Sequence, residues 1–115
     1  MKTSGELLEI LEFFCRRLTD KNDEYGQLAE DRALAEKEYK MAVREQILRH
    51  KSDGHPATLI PKLVDGHKSV AELKFAMDVK EALVKANLES TKSTVTQIDS
   101  VRSMLTWLRA EERRG

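Results

Sequence analysis

The sequence predicts an all-α fold: two long antiparallel helices, a helical hairpin joined by a structured Pro/Gly turn, assembling into a helical-bundle oligomer. Three observations carry this. Both prolines and two of the five glycines fall in one central stretch, Asp53-Gly54-His55-Pro56 to Pro61 and then Asp65-Gly66-His67, where they stop helices. The tracts on either side are of nearly equal length and repeat apolar residues at 3-4 spacing, the signature of a helical seam. At the end remote from the turn, both tracts carry more apolar surface than one partner helix can cover.

The first helix is expected over residues 4–50. Leu7, Leu11, Phe14, Leu18, Tyr25, Leu28, Ala35, Tyr39 and Ala42 follow the seam, with Lys21 and Arg32 filling two otherwise apolar slots. Ser4 is the expected N-cap, and Glu12/Arg16, Glu36/Lys40 and Glu45/Arg49 are i, i+4 pairs for the solvated side. In the turn, residues 51–67, Leu59, Ile60, Leu63 and Val64 are too apolar for a solvated linker. A folded cap is expected there, with Pro56 starting a helical turn, Pro61 interrupting it and Asp65-Gly66 closing it. The second helix, residues 68–112, opens at Ser69. Val70, Leu73, Met77, Val84, Ile98, Val101, Leu105 and Leu108 form its seam, with Lys80, Asn87, Thr91 and Thr94 in the middle slots.

Each helix would run about 65 Å at about 1.5 Å per residue. With His50 and Lys68 flanking the turn, position i faces roughly 118 − i. The low-propensity stretch Thr19 to Asp23, with Gly26 beyond, then meets Ser90 to Thr94, and a polar layer that fixes register is expected at that level.

The whole chain of 115 residues is read as one domain. With 40% hydrophobic and 35% charged residues it is neither disordered nor membrane-embedded in composition. No run approaches a transmembrane span, and Glu6, Glu9 and Glu12 interrupt the N-terminal apolar run in a way a signal peptide does not tolerate. A cytoplasmic location, in the reducing compartment suited to the single Cys15, is the expectation. Twenty basic and twenty acidic residues cancel, so no global field draws nucleic acid.

Assembly is expected at the open end, through Leu7, Leu11, Phe13, Phe14, Leu18, Val101, Met104, Leu105, Trp107 and Leu108. Two hairpins forming a four-helix bundle is the simplest closure. Arg44, Arg49, Lys51, Lys62 and Lys68 make the turn end mildly basic and are the candidate contacts for phosphate or a partner.

Catalytic chemistry finds no support. Glu9 and Glu12 have the spacing of one magnesium-binding pair of the helical nucleotide pyrophosphohydrolases, but no Glu-x-x-Asp follows. Cys15 reads as a small core hydrophobe without a histidine nearby in sequence. His50, His55 and His67 cluster at the turn with Asp53 and Asp65, yet their spacing fits no standard metal site. The expectation is no enzyme, no cofactor, no metal, no membrane and no small-molecule substrate.

The run Pro56-Ala57-Thr58-Leu59-Ile60-Pro61, then Gly66 and Val70-Ala71-Glu72-Leu73, with Trp107 closing the second helix, resembles a group of small helical proteins of tailed phages and prophages of Gram-positive bacteria. Secreted hairpins with a Trp-x-Gly turn share the size, but this turn lacks that motif. The phage resemblance implies a setting near genes for single-strand annealing, recombination and replication. Its expected partners are a second copy of the chain and a phage recombination or replication protein, with single-stranded DNA as a further contact. A structural or chaperone-like phage module without a nucleic-acid role is the alternative.

Overall fold

The computed structural model describes residues 2–114. Among them are three helices and no strand: α1 (Ser4–Ser52), α2 (Ile60–Asp65) and α3 (Lys68–Arg114). α1 is continuous through Thr19 to Gly26, so the weak propensities there are outvoted by the helix on either side.

The helix ends depart from expectation for identifiable reasons. Thr3, not Ser4, caps α1: its Oγ1 accepts from the Glu6 N–H at 3.2 Å and donates to Glu6 Oε1 at 3.3 Å. Ser4 Oγ instead donates to Glu112 Oε1 at 3.0 Å. α1 runs two residues past His50 and stops in a Schellman turn. There the Gly54 N–H donates to the Lys51 carbonyl and the His55 N–H to the His50 carbonyl, each at 3.1 Å. Gly54 sits at φ 80°, a conformation that costs a side-chain-bearing residue free energy.

Pro61 does not interrupt a helix but lies in the first turn of α2, where its missing N–H would have no intrahelical partner. Gly66 ends α2 at φ −82°, so handedness is not its reason. A Cβ there would lie 3.3 Å from the Lys62 carbonyl oxygen, which accepts the Gly66 N–H at 3.1 Å. The His67 carbonyl accepts from Ala71, which places the start of α3 ahead of Ser69.

The chain forms two compact units, Met1–Gly26 with Ala86–Gly115, and Gln27–Lys85. In the first, α1 and α3 pack antiparallel around Leu7, Val101 and Leu105, with Ile10, Leu11, Phe14 and Leu108 half-buried against them. In the second, three elements meet: Ile60 and Val64 of α2 and Val70 of α3 pack on Tyr39, Ala42, Val43 and Ile47 of α1.

The α3 seam is the one its 3-4 spacing marks. Val70, Asn87, Thr94, Ile98, Val101 and Leu105 are buried, and Leu73, Met77, Lys80, Val84, Thr91 and Leu108 are half-buried. Along α1 the expected seam is covered except at Tyr25, which is exposed.

The register is displaced from 118 − i. Arg32 reaches Glu81 rather than residue 86, Lys74 lies over the Tyr39 ring rather than residue 79, and Asn87 meets Lys21 in place of residue 97. The cause is visible in the second unit, where the last turns of α1 overrun the start of α3 and α2 covers them. The expected polar layer is thinner than the sequence suggests. Thr91 and Thr94 turn their hydroxyls back to carbonyls four residues earlier, at 2.9 and 2.8 Å. Only the Asn87 amide crosses, donating to the Lys21 carbonyl at 3.1 Å.

Candidate functional site

Where α1 begins and α3 ends, the seam holds Leu7, Val101 and Leu105 within the chain's own core. Those three residues of the expected interface are occupied inside the first unit. Leu11, Phe14, Leu18 and Leu108 are half-buried. What remains outward is Phe13 (53% exposed), Met104 (48%) and Trp107 (57%), with Leu8 beside them in sequence order.

The helical pitch explains this spread. Successive residues advance 100°, so Leu7, Leu11 and Phe14 follow the seam while Leu8 and Phe13 fall to its two sides. Phe13 also meets Phe14 edge-on, with ring centroids 5.4 Å apart. A groove of about 630 Å³ opens here, lined by Lys2, Leu7, Ser103, Met104, Trp107 and Leu108. Its wall is almost wholly apolar, with one lysine at its edge. Such a surface excludes water from whatever covers it.

Cys15 is exposed, contrary to its reading as a core hydrophobe. It lies one residue past Phe14, about 100° around the helix from the covered seam.

The basic candidates Arg44, Arg49, Lys51, Lys62 and Lys68 are all exposed in the second unit. Arg49 pairs with Glu45 at 3.7 Å, and Arg44 borders a shallow groove shared with Glu38 and Glu45. The local charge is therefore mixed, not a uniform basic face. Of the three expected i, i+4 pairs, Glu36–Lys40 (3.0 Å) and Glu45–Arg49 form, while Glu12 and Arg16 do not come within ion-pair distance.

Arg32, placed by sequence in an apolar slot, instead links the helices. It lies 3.8 Å from both Glu36 of α1 and Glu81 of α3, and Glu81 also meets Lys85 at 3.8 Å. The hydrogen bond from Lys40, its charge and that of Arg32 hold the Glu36 carboxyl below its usual range. Asp78, bonded at 2.9 Å, raises the Lys74 ammonium above its own.

Of the histidine–aspartate cluster at the turn, the structure gathers His50, Asp53 and His55 and leaves His67 and Asp65 outside the group. Both ring nitrogens of His50 are buried, as is Nδ1 of His67, while His55 is exposed.

Sequence reasoning also passed over a second apolar line. Leu34, Met41 and Leu48 are exposed on α1 at intervals of seven, and Phe75 (71% exposed), Val79 and Leu83 are exposed on α3. The heptad interval on α1 was the available signal. It was masked by Lys37, Glu38, Arg44 and Glu45, which make that face look solvated.

Fold and site together define a class: an all-helical chain whose long helices pack on one another and carry exposed apolar residues in both units. Comparison with protein-family models, curated proteins and solved structures gives no match. Among the described residues no helix is long and apolar enough to cross a membrane.

Proposed function

We propose that this chain is a non-enzymatic, self-associating helical adaptor of phage DNA recombination or replication. A second copy covers the apolar open end, and the turn end is left for a partner protein and single-stranded DNA. The observation that carries the self-association is the groove flanked by exposed Met104 and Trp107 in a unit with only two helices to close its core. Domains bury apolar faces between layers, and this unit supplies one layer. A second copy fits because the surface is apolar and the net charge is zero, so two chains do not repel. A two-fold contact places the same patch on both sides, turning two helices into four. The phage setting rests on the Pro56–Pro61 loop resemblance.

Light scattering at micromolar concentration tests the association. A mass above the 13.2 kDa of one chain is expected, falling to it for Phe13→Glu/Trp107→Glu. These positions are exposed within the chain, so the double variant keeps its helical content by circular dichroism. Leu105→Asp is unsuitable because Leu105 is buried in the chain's own core. A wild-type monomer overturns the reading.

The nucleic-acid part is tested by oligonucleotide binding against salt. Affinity that falls steeply with salt supports phosphate contacts at Arg44, Lys51, Lys62 and Lys68. No binding at low salt favours the structural or chaperone-like module, a reading to which the mixed charge around Arg44 and Arg49 lends weight.

A further inference from the structure

We propose that His50, Asp53 and His55 form a binding site for a divalent transition-metal ion of the zinc class at the C-terminus of α1. One ligand atom from each lies within 4.8 Å of the others. Ligands sharing a tetrahedral zinc at about 2.0–2.2 Å stand about 3.3 Å apart. The exposed Asp53 and His55 side chains therefore need to swing by only about an ångström or two to close on an ion.

The backbone prepares this arrangement. The Schellman turn that ends α1 ties the His55 N–H to the His50 carbonyl at 3.1 Å, and Gly54 at φ 80° supplies the reversal. The side chains at these two positions are normally in apolar contact across such a turn. Here they are two imidazoles with ring centroids 5.3 Å apart, and Asp53 sits between them in sequence.

Two further features favour a cation. Both ring nitrogens of His50 are buried and have no hydrogen-bond partner, which leaves a lone pair and an N–H unsatisfied in a neutral imidazole. An ion satisfies that lone pair. The carbonyl end of a helix also carries partial negative charge, so a cation is stabilised there. Two nitrogens and one carboxylate oxygen suit zinc and its neighbours better than magnesium or calcium, and three protein ligands leave a fourth position for water. Bound, the ion would pin the first residues of the loop to the helix that precedes them.

The test is calorimetric titration of the full chain with Zn²⁺ in a Cys15→Ser background, which removes the exposed thiol as a competing ligand. One ion per chain is expected. His55→Ala and Asp53→Asn each weaken binding by about tenfold or more, while His67→Gln, outside the cluster, leaves it unchanged. Since His55 and Asp53 are exposed, both variants should retain wild-type circular dichroism before metal is added. The absence of stoichiometric Zn²⁺ binding, or equal affinity in His55→Ala, overturns the proposal.

Discussion

The two compact units solve the same packing problem with different numbers of elements. In Gln27–Lys85 the short helix α2 lays Ile60 and Val64 over α1 and Val70, so a third element closes the core. In Met1–Gly26 with Ala86–Gly115, two helices share one cluster, and Phe13, Met104 and Trp107 stay exposed beside it. A helix pair covers one stripe on each partner; further apolar residues on either helix need another layer. In this chain, the six residues of α2 supply that layer at the Ile60–Val64–Val70 cluster. The Leu7–Val101–Leu105 cluster has no third element, and exposed apolar residues remain in both units, Met41 and Phe75 among them in the second.

Truncating the two cores gives the largest contrast. Leu105→Ala and Ile60→Ala each remove a buried aliphatic side chain and should cost about 2–5 kcal/mol. If a second copy completes the first unit, the thermal midpoint rises with protein concentration in wild type and in both core variants, and no longer does so in Phe13→Glu/Trp107→Glu. A wild-type midpoint independent of concentration would erase the distinction between a core closed from within and one closed by association.

A smaller effect belongs to Asn87. It is buried, donates one hydrogen bond to the Lys21 carbonyl, and leaves its Oδ1 with no partner. Asn87→Leu removes a half-satisfied amide from the seam and should stabilise by about 1 kcal/mol in urea unfolding. The same variant loses the one side chain of the polar level that reaches across the helices, so it should broaden the nuclear magnetic resonance signals around Lys21 and Asn87 through loosened register. Stabilisation without broadening would show that apolar packing alone fixes the pairing in this unit.

Glycines set apart the irregular and the regular backbone. Gly54→Ala should destabilise by about 1 kcal/mol because φ 80° is strained for alanine. Gly26→Ala should stabilise by about 0.5–1 kcal/mol, since Gly26 lies within a continuous helix and a Cβ there meets nothing within 4 Å. Chemical denaturation reads both, and a shared sign would contradict the assignment of either position.

The seams were readable because burial repeats with the helix. On α3 the 3-4 pattern survives even where Lys80, Asn87, Thr91 and Thr94 interrupt it. The register was not readable, because it depends on how far α1 overruns α3, and that is set by how α2 folds over Val43 and Ile47. Sequence spacing put Leu7, Val101 and Leu105 on the seam and Phe13 and Trp107 off it, yet all five were read as one interface, because spacing does not show which apolar residues the chain's own second helix already covers. The histidine–aspartate cluster at the turn was visible in sequence, but not which of its members meet: a Schellman turn brings His50, Asp53 and His55 together at a spacing no standard ligand motif has.

The smallest expected effect concerns charge. The second unit joins its helices through Arg32, between Glu36 and Glu81, while the ion pairs of the first unit, Lys21–Glu24, Lys92–Glu89 and Arg114–Glu111, stay within one helix. Glu36 is held below its ordinary value of 4.5, first by the hydrogen bond from Lys40. A depressed carboxylate contributes stability that is present above its unfolded value and lost as pH falls through the folded one. Lys74 is raised above 10.5, so its contribution is complete below that value and lost as pH rises through the folded one. Both groups are solvated, so the changes should be slight. Thermal midpoints of wild type and Glu36→Gln should differ near neutrality and converge as pH falls through the lowered value of the Glu36 carboxyl. Hydrogen exchange should place the acid-induced loss in residues 27–85, around Arg32 and Glu81, and not around the uncharged contact of Asn87 with Lys21. An equal acid response in both units would mean that the charge network contributes nothing particular to the unit that contains it.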